Sequence, residues 1–199
     1  MTRILHKLSA RGRFTLLCVV LTSLCACPPG LPGGGTPQIG LFDGAFRVAA
    51  PAGYCIDPQN VSQTESTAVV LIGRCRDGSA STAALVSVTI GEPGSGAVMA
   101  AGPEGLSAFF TSPEGLATLS RSGSASDVVV QKAVMAGPNF LLLLADRTSG
   151  TYWRAISGMK GRVITTSAIG TQDVTLTPEA GRAVLDATLV ALRRANPSP

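Results

Sequence analysis

The chain has 199 residues, of which 45% are hydrophobic and 14% are charged, and its formal net charge is +4 at pH 7. The basic excess lies at the N-terminus: removing residues 1–26 would delete four of the sixteen basic residues and none of the twelve acidic residues, leaving twelve of each. A neutral remainder lacks the electrostatic footprint of a nucleic-acid-binding protein, so we expect no nucleic-acid partner.

The first 26 residues have the pattern of a bacterial signal peptide. Basic residues precede a short apolar run, residues 14–26 (FTLLCVVLTSLCA), whereas a membrane span needs roughly 20 residues. Leu24, Ala26 and Cys27 then resemble the lipobox of bacterial lipoproteins. The resemblance implies cleavage before Cys27 and a lipid on its sulfur. It predicts a protein held to a membrane by that lipid, in the cell envelope.

Two alternatives to lipidation at Cys27 stay open. Cys25 could be the modified residue, although Leu24 would then stand next to the cleavage site, where the peptidase prefers a small side chain. An ordinary secreted protein cleaved nearby is the other alternative. Because Pro28 rather than an aspartate follows Cys27, we expect the outer membrane, with the protein facing the periplasm.

A segment rich in proline and glycine follows the predicted lipid site. Residues 28–40 (PPGLPGGGTPQIG) contain four Pro and five Gly, which disfavour both helix and central strand. We therefore predict a tether over residues 27–40 and one globular domain over residues 41–196. Such a length is sufficient for a single domain with its own core.

Two cysteines remain in the predicted domain. Cys55 and Cys75 form an even pair in a compartment that permits disulfides, so we predict a structural disulfide between them. Their spacing is not the C-x-x-C that lowers a thiol pKa, which argues against a redox-active pair.

Seven segments are rich in β-branched and aromatic residues and are separated by Gly, Pro, Asn and Asp, which predicts strands. They are residues 41–49, 67–75, 83–90, 127–136, 139–146, 151–157 and 161–170. Turn-forming residues at 137–139 and 157–161 predict hairpins. Residues 140–145 are apolar without alternation, which predicts a strand covered on both faces.

Two segments have the signals of helices. Thr177, Pro178 and Glu179 form a helix start, and leucines recur at helical spacing up to a basic C-terminal end. Residues 103–120 contain a near-repeat of Pro-Glu-Gly-Leu, which predicts two helix starts with a break at Pro113.

The order of elements predicts an α+β domain: an antiparallel sheet of six to seven strands with two helical segments packed on it. This order over residues 41–196 resembles the three-layer sandwich of the Mog1/PsbP family. Residues 50–58 (APAGYCIDP) and 153–170 also resemble small lipoproteins of Rhodobacter-type alphaproteobacteria, a resemblance that implies no activity.

Few catalytic designs fit this composition. The one histidine, His6, lies in the predicted signal peptide, so a Ser-His-Asp triad or a His-ligated metal site is not available to the mature chain. Ser157 and Lys160 match the S-x-x-K spacing of β-lactamases, but they lie in a predicted turn and no partner motifs follow. We expect no catalytic residues, no metal and no cofactor, and we leave an enzymatic role unassigned.

Other candidate residues have structural interpretations. Gly94 and Gly96 superficially match a dinucleotide motif, but the third glycine is absent and we expect a loose surface loop. Asp57 and Asp127 lie at predicted turns, where acids bond their own backbone. Tyr152 and Trp153 are adjacent in a strand and face opposite ways, so we expect one in the core and one exposed.

These observations predict a lipid-anchored periplasmic module that acts through protein or envelope contacts. The alternative is a domain that binds a small ligand in an apolar cleft between sheet and helix. A deep pocket would favour the ligand, whereas a flat apolar patch near Trp153 would favour a partner protein.

Overall fold

The computed structural model describes residues 35–76, 82–171 and 173–197. The predicted signal peptide, Cys27 and the first part of the predicted tether lie outside these residues. Within the described ranges, no helix is long and apolar enough to cross a membrane.

The described chain contains a seven-stranded antiparallel sheet, a two-stranded hairpin and three α-helices. The hairpin is β1 (Gln38–Leu41) and β2 (Phe46–Ala49). The sheet strands are β3 (Tyr54–Gln63), β4 (Ala68–Arg74), β5 (Leu85–Ile90), β6 (Val128–Ala136), β7 (Asn139–Asp146), β8 (Gly150–Met159) and β9 (Arg162–Ile169). The helices are α1 (Gly102–Thr111), α2 (Pro113–Leu119) and α3 (Pro178–Ala195).

The sheet has the strand order β3-β4-β5-β9-β8-β7-β6, and every neighbouring pair is antiparallel. Helix α3 and the β1–β2 hairpin pack on one face, while α1, α2 and a 3-10 segment (Ser95–Ala101) pack on the other. The predicted α+β class, with helices on an antiparallel sheet, is therefore confirmed.

Two hydrophobic clusters correspond to the two covered faces. On β7, Leu141 belongs to the cluster under α3 and Leu142 to the cluster under α1 and α2, and both are 0% exposed. The prediction that residues 140–145 form a strand covered on both faces is thus correct, since apolar side chains alternate between two cores.

The helix starts follow the predicted capping residues. The Thr177 hydroxyl accepts a hydrogen bond from the Ala180 amide at 3.2 Å, and the Ser112 hydroxyl accepts one from the Gly115 amide at 3.1 Å. Pro113 separates α1 from α2, which gives three helices where the sequence suggested two helical segments.

The N-terminal part of the domain differs from the prediction. Residues 41–49 are two strands rather than one, because the chain reverses at Phe42 and Asp43, both at positive φ (52° and 54°). Gln38–Leu41 is already a strand, and Thr36 exchanges two 2.8 Å backbone hydrogen bonds with Ile56. The last residues assigned to the tether are therefore part of the folded domain.

Strand β3, the edge strand of the sheet, was not predicted. Its sequence contains Asp57, Pro58 and Asn60, which are turn-forming residues. The structure places Pro58 where the register between β3 and β4 shifts, and an edge strand with such a bulge tolerates a residue without an amide hydrogen.

One half of the α1–α2 face has no covering helix among the described elements. Helices α1 and α2 pack mainly on β6, and the 3-10 segment packs on β8 and β9. On β4 and β5, the same face carries Val69, which is 38% exposed, and the exposed Thr89. We call this surface, defined by Val69, Leu71, Ser87 and Thr89, the open half of the sheet.

Candidate binding site at one end of the sheet

Cys55 and Cys75 lie at disulfide-bonding distance, as predicted, with their Cα atoms 5.0 Å apart. The pair joins the beginning of β3 to the residue that follows β4. It therefore fixes the two outermost strands at this edge of the sheet.

Ser157 and Lys160 do not form a dyad. Ser157 lies inside β8, is 1% exposed, and its hydroxyl donates a 2.8 Å hydrogen bond to Oδ1 of Asn139. Lys160 is exposed in a two-residue turn, where Lys160 and Gly161 both have positive φ (49° and 73°). The predicted turn at 157–161 is thus shorter than expected, because β8 continues through Met159 and buries Ser157.

The segment that contains Gly94 and Gly96 is a packed connection, so the expectation of a loose loop is wrong. Both amides donate to the carbonyl of Gly161, at 2.8 and 3.2 Å, and the Ser95 hydroxyl accepts from the Val163 amide at 2.9 Å. These contacts hold the connection after β5 onto the β8–β9 hairpin.

Tyr152 and Trp153 are both buried, at 3% and 7% exposure, so the expectation that one is exposed is also wrong. They do face opposite ways, but each face of β8 is covered: Tyr152 belongs to the cluster under α1 and α2, and Trp153 to the cluster under α3. The Arg182 guanidinium lies 5.1 Å from the centre of the Trp153 indole ring. No exposed aromatic patch forms at Trp153.

Asp57 bonds its own backbone, as the sequence suggested, since its carboxylate accepts from the Gln59 amide at 3.0 Å. Asp127 differs from the expectation, because its carboxylate accepts from the Ser122 hydroxyl at 2.6 Å and pairs with Arg147. Within the described ranges, no group of three acidic, histidine or cysteine residues could hold a metal ion.

A recess of about 820 Å³ opens at the end of the sheet where β8 begins and β9 ends. Three connections surround it: the β7–β8 turn, the β9–α3 connection and the segment after α2. We call it the end pocket. Its wall residues are the hydroxyl-bearing Thr148, Ser149, Thr151, Thr171 and Thr175, the charged Arg121 and Asp173, and the apolar Leu85, Ile169 and Leu176, with Gly150, Gly170 and Val174.

The β7–β8 wall of the end pocket is shaped by Asp146. This carboxylate is 6% exposed, and its Oδ1 accepts from the amides of Thr148 and Ser149 at 2.8 and 2.7 Å. Because the Asp146 side chain accepts from these backbone donors, the turn presents the side chains of Thr148 and Ser149 at the pocket.

The β9–α3 wall is a tight reversal. Thr171 and Val174 exchange backbone hydrogen bonds of 3.1 and 3.2 Å. A Cβ atom at Gly170 would lie 2.5 Å from the Val174 carbonyl oxygen, so this close approach requires glycine. The reversal carries Asp173 and Thr175 to the pocket.

The two charged residues of the end pocket, Arg121 and Asp173, are both exposed and do not form a salt bridge with each other. Two salt bridges are present among the described residues, Arg147 with Asp127 and Arg182 with Asp186. Arg121 and Asp173 take part in neither, and no hydrogen bond joins either side chain to another described residue. Both side chains are therefore available to a ligand.

A second arginine, Arg154, contacts the end of α2 just before Arg121 in the chain, and all its described acceptors are neutral. Arg154 donates from Nε to the Ser167 hydroxyl (2.9 Å), from Nη1 to the Leu119 carbonyl (3.0 Å) and from Nη2 to the Tyr152 hydroxyl (3.1 Å). Its charge is not neutralised by a salt bridge within the described part of the chain.

The pKa of the Tyr152 hydroxyl depends on its burial and on the charged residues around it. Burial raises its pKa above the ordinary value of 10.0, while the positive charges of Arg154 and Arg121 oppose the rise and Asp146 adds to it. Arg121 and Arg154 are thus both close enough to Tyr152 to affect its pKa.

A second recess, of about 620 Å³, lies between β2 and the outer face of α3. Alanines line most of it, and of its two charged residues Asp186 is already bonded to Arg182 at 2.8 Å. It offers fewer unpaired polar groups than the end pocket, which is therefore the better candidate site.

No protein-family model, curated protein or solved structure matches this chain. The resemblance to the Mog1/PsbP family and to small lipoproteins stays a prediction.

Proposed function

We propose that the protein is a lipid-anchored periplasmic binding module that takes a small polar ligand in the end pocket and carries out no chemistry on it. The observation that supports this most directly is the pocket itself. It combines a ligand-sized volume with hydroxyl groups and two charged side chains that are not paired with each other.

The anchoring part of the proposal rests on the lipobox. Metabolic labelling with a fatty acid should mark the wild type, and Cys27→Ser should abolish the label and stall processing. Labelling that survives in Cys27→Ser and vanishes in Cys25→Ser would move the anchor to Cys25.

The non-catalytic part rests on the side chains that the pocket offers. With His6 in the predicted signal, the mature chain has no imidazole base, and Ser157 is bonded to Asn139 rather than to a base. The hydroxyls, the guanidinium and the carboxylate of the pocket are groups that bind and orient a ligand.

A second candidate function is contact with an envelope protein through the open half of the sheet. It is favoured by Val69, which is 38% exposed beside Leu71 on a face that no described helix covers. We rank it second because that surface presents no convergent charged group.

One pair of variants separates the two functions. Thr175 is exposed in the end pocket, so Thr175→Trp should fill the pocket, whereas Thr89→Trp places the same bulk on the open half of the sheet. Amide chemical shifts should be followed while a set of polar metabolites is titrated into the purified domain. We expect shifts at Thr148, Ser149 and Thr171, lost in Thr175→Trp and kept in Thr89→Trp. Binding that is insensitive to Thr175→Trp contradicts the proposal.

A further inference from the structure

The end pocket carries one cation and one anion, and the two are separate. No nitrogen of Arg121 lies within 4.0 Å of an oxygen of Asp173, although both side chains line the same recess. A ligand with a single charge would be attracted by one of these residues and repelled by the other. Only a ligand with both charges gains from both.

The other charges near the pocket do not remove this asymmetry. Asp146 is 6% exposed and accepts from two backbone amides, and Arg147, just beyond the pocket wall, is paired with Asp127. Arg154, which donates to the carbonyl of Leu119 two positions before Arg121, has only neutral described acceptors. The Arg121 side of the pocket therefore favours an anionic group, and Asp173 favours a cationic one.

The wall of the end pocket has both polar and apolar groups. Thr148, Ser149 and Thr175 provide hydroxyl groups, while Leu85, Ile169 and Leu176 provide apolar contacts. A peptide backbone with small side chains presents both kinds of surface, since its amides bond to hydroxyls and its methyl groups pack on leucine and isoleucine.

From this arrangement we infer that the end pocket binds a zwitterionic ligand of the amino-acid or short-peptide class, with its carboxylate at Arg121 and its ammonium at Asp173. The inference rests on the proposed binding function and adds the chemical class of the ligand. Both charged residues are exposed, so each charge contributes modestly and the affinity of a minimal ligand is low.

The experiment is an NMR titration of the folded domain with alanine, dialanine and trialanine at about pH 6.5, where both termini are charged. Each peptide is compared with its N-acetyl form, which keeps only the anion, and its C-terminal amide, which keeps only the cation. We expect at least one free peptide to shift the amides of Thr148, Ser149 and Thr171. Blocking either end should weaken its binding about two- to fivefold.

Two variants give a crossed pattern that a merely structural role would not produce. Arg121→Gln should weaken the binding of the free peptide and of the N-acetyl form, but not the binding of the C-terminal amide. Asp173→Asn should weaken the binding of the free peptide and of the C-terminal amide. It should strengthen the binding of the N-acetyl form, because the repulsive carboxylate of Asp173 is removed.

Arg147→Gln and Asp43→Asn are the matched controls. Arg147 is an exposed arginine outside the pocket that is paired with Asp127, and Asp43 is an exposed acid in the β1–β2 turn. Both controls should bind like the wild type.

Equal binding of free and blocked peptides, or no shift at the pocket with any of them, overturns the inference. If polar metabolites still bind in a manner that Thr175→Trp abolishes, the proposed binding function is supported and only the zwitterionic class of ligand is contradicted. If Thr175→Trp affects the binding of no ligand, both proposals are contradicted.

Discussion

The side-chain amide of Asn196 pairs with the backbone of Arg47 as a neighbouring strand would. Its Oδ1 accepts from the Arg47 amide at 2.9 Å, and its Nδ2 donates to the Arg47 carbonyl at 2.6 Å and to the Leu192 carbonyl at 2.8 Å. Asn196 follows the end of α3 and is 6% exposed. The Asn196 side chain thus provides hydrogen-bond partners for the outer edge of β2 and links the β1–β2 hairpin to α3.

Asn196→Ala should therefore lower the free energy of unfolding by about 2–3 kcal/mol, since it leaves both backbone groups of Arg47 without this partner. Asn196→Asp should cost more, because a carboxylate oxygen would face two carbonyls. Urea unfolding measures both. Asn60→Ala, at an exposed position of strand β3, is the control and should change stability by less than about 0.5 kcal/mol, since it removes one exposed hydrogen bond to Asp57. An Asn196→Ala variant as stable as the control would contradict the pairing.

Within the described part of the chain, the Thr166 hydroxyl has no hydrogen-bond partner, although the residue is 0% exposed. Thr166→Val keeps the shape and removes the buried hydroxyl, so it should raise the free energy of unfolding by about 1 kcal/mol. Thr188, also 0% exposed, donates to the Val184 carbonyl at 2.8 Å, and Thr188→Val should lower stability instead. The same sign for both substitutions would argue against an unpartnered Thr166.

Tyr54 and Tyr152 are the two tyrosines of the chain, and burial raises the pKa of each above 10.0 in the folded state. A neutral tyrosine is thus favoured by folding. The resulting stability is complete below the unfolded pKa of about 10 and is lost as pH rises through the folded values.

Tyrosinate absorbance should therefore titrate at higher pH in the folded protein than in urea. The free energy of unfolding should fall when the pH is raised from about 9 to about 11. Tyr152→Phe, which removes one of the two groups, should make the fall smaller. Coincident titration of the folded and unfolded chains would contradict the burial argument.

Ser157 should be chemically silent, because its hydroxyl is 1% exposed and donates to Asn139 rather than to a base. A fluorescent β-lactam or a fluorophosphonate probe should leave the purified domain unlabelled. Ser157→Ala should lower stability by about 1–3 kcal/mol, since it leaves the Asn139 amide oxygen unsatisfied. Stoichiometric labelling that disappears in Ser157→Ala would revive an enzymatic function.

The elements with strong local signals were predictable from the sequence. Strand β7 and the starts of α2 and α3 follow apolar runs and capping residues that act within a few positions. Strand β3 could not be predicted in this way, because the tolerance of Pro58 depends on its position at an edge of the sheet, which is a tertiary property.

The burial of both Tyr152 and Trp153 could not be predicted from the local sequence pattern either. Alternation correctly separates the two rings onto opposite faces, but it does not tell whether a face is covered. Helix α3 covers one face of β8, and the opposite face is covered by the layer that contains α1 and α2. The sequence carries no signal for that two-sided cover at β8, since Arg154 interrupts the apolar run.

The end pocket had no signal in the sequence. Arg121 and Asp173 lie in separate loops more than fifty positions apart, and each is by itself an ordinary surface residue. Only the strand order brings the segment after α2 and the β9–α3 connection to the same end of the sheet. The alanine-lined recess between β2 and α3 is nearer to the apolar cleft suggested as an alternative, whereas the end pocket also has hydroxyl and charged groups in its wall.

The strand order also bears on how the chain folds. Strands β3 to β5 and strands β6 to β9 are two separate meanders, and the pairing of β5 with β9, from Leu85 opposite Ile169 to Ile90 opposite Ile164, is the seam between them. Before β9 pairs with it, β5 (LVSVTI) is an uncharged segment of high β-propensity with one unpaired edge. The residues paired across this seam are 74 to 84 positions apart in the chain, so we expect it to form late and slowly. A chain that ends before Arg162 would keep the edge of β5 open, and such fragments are expected to self-associate rather than stay monomeric.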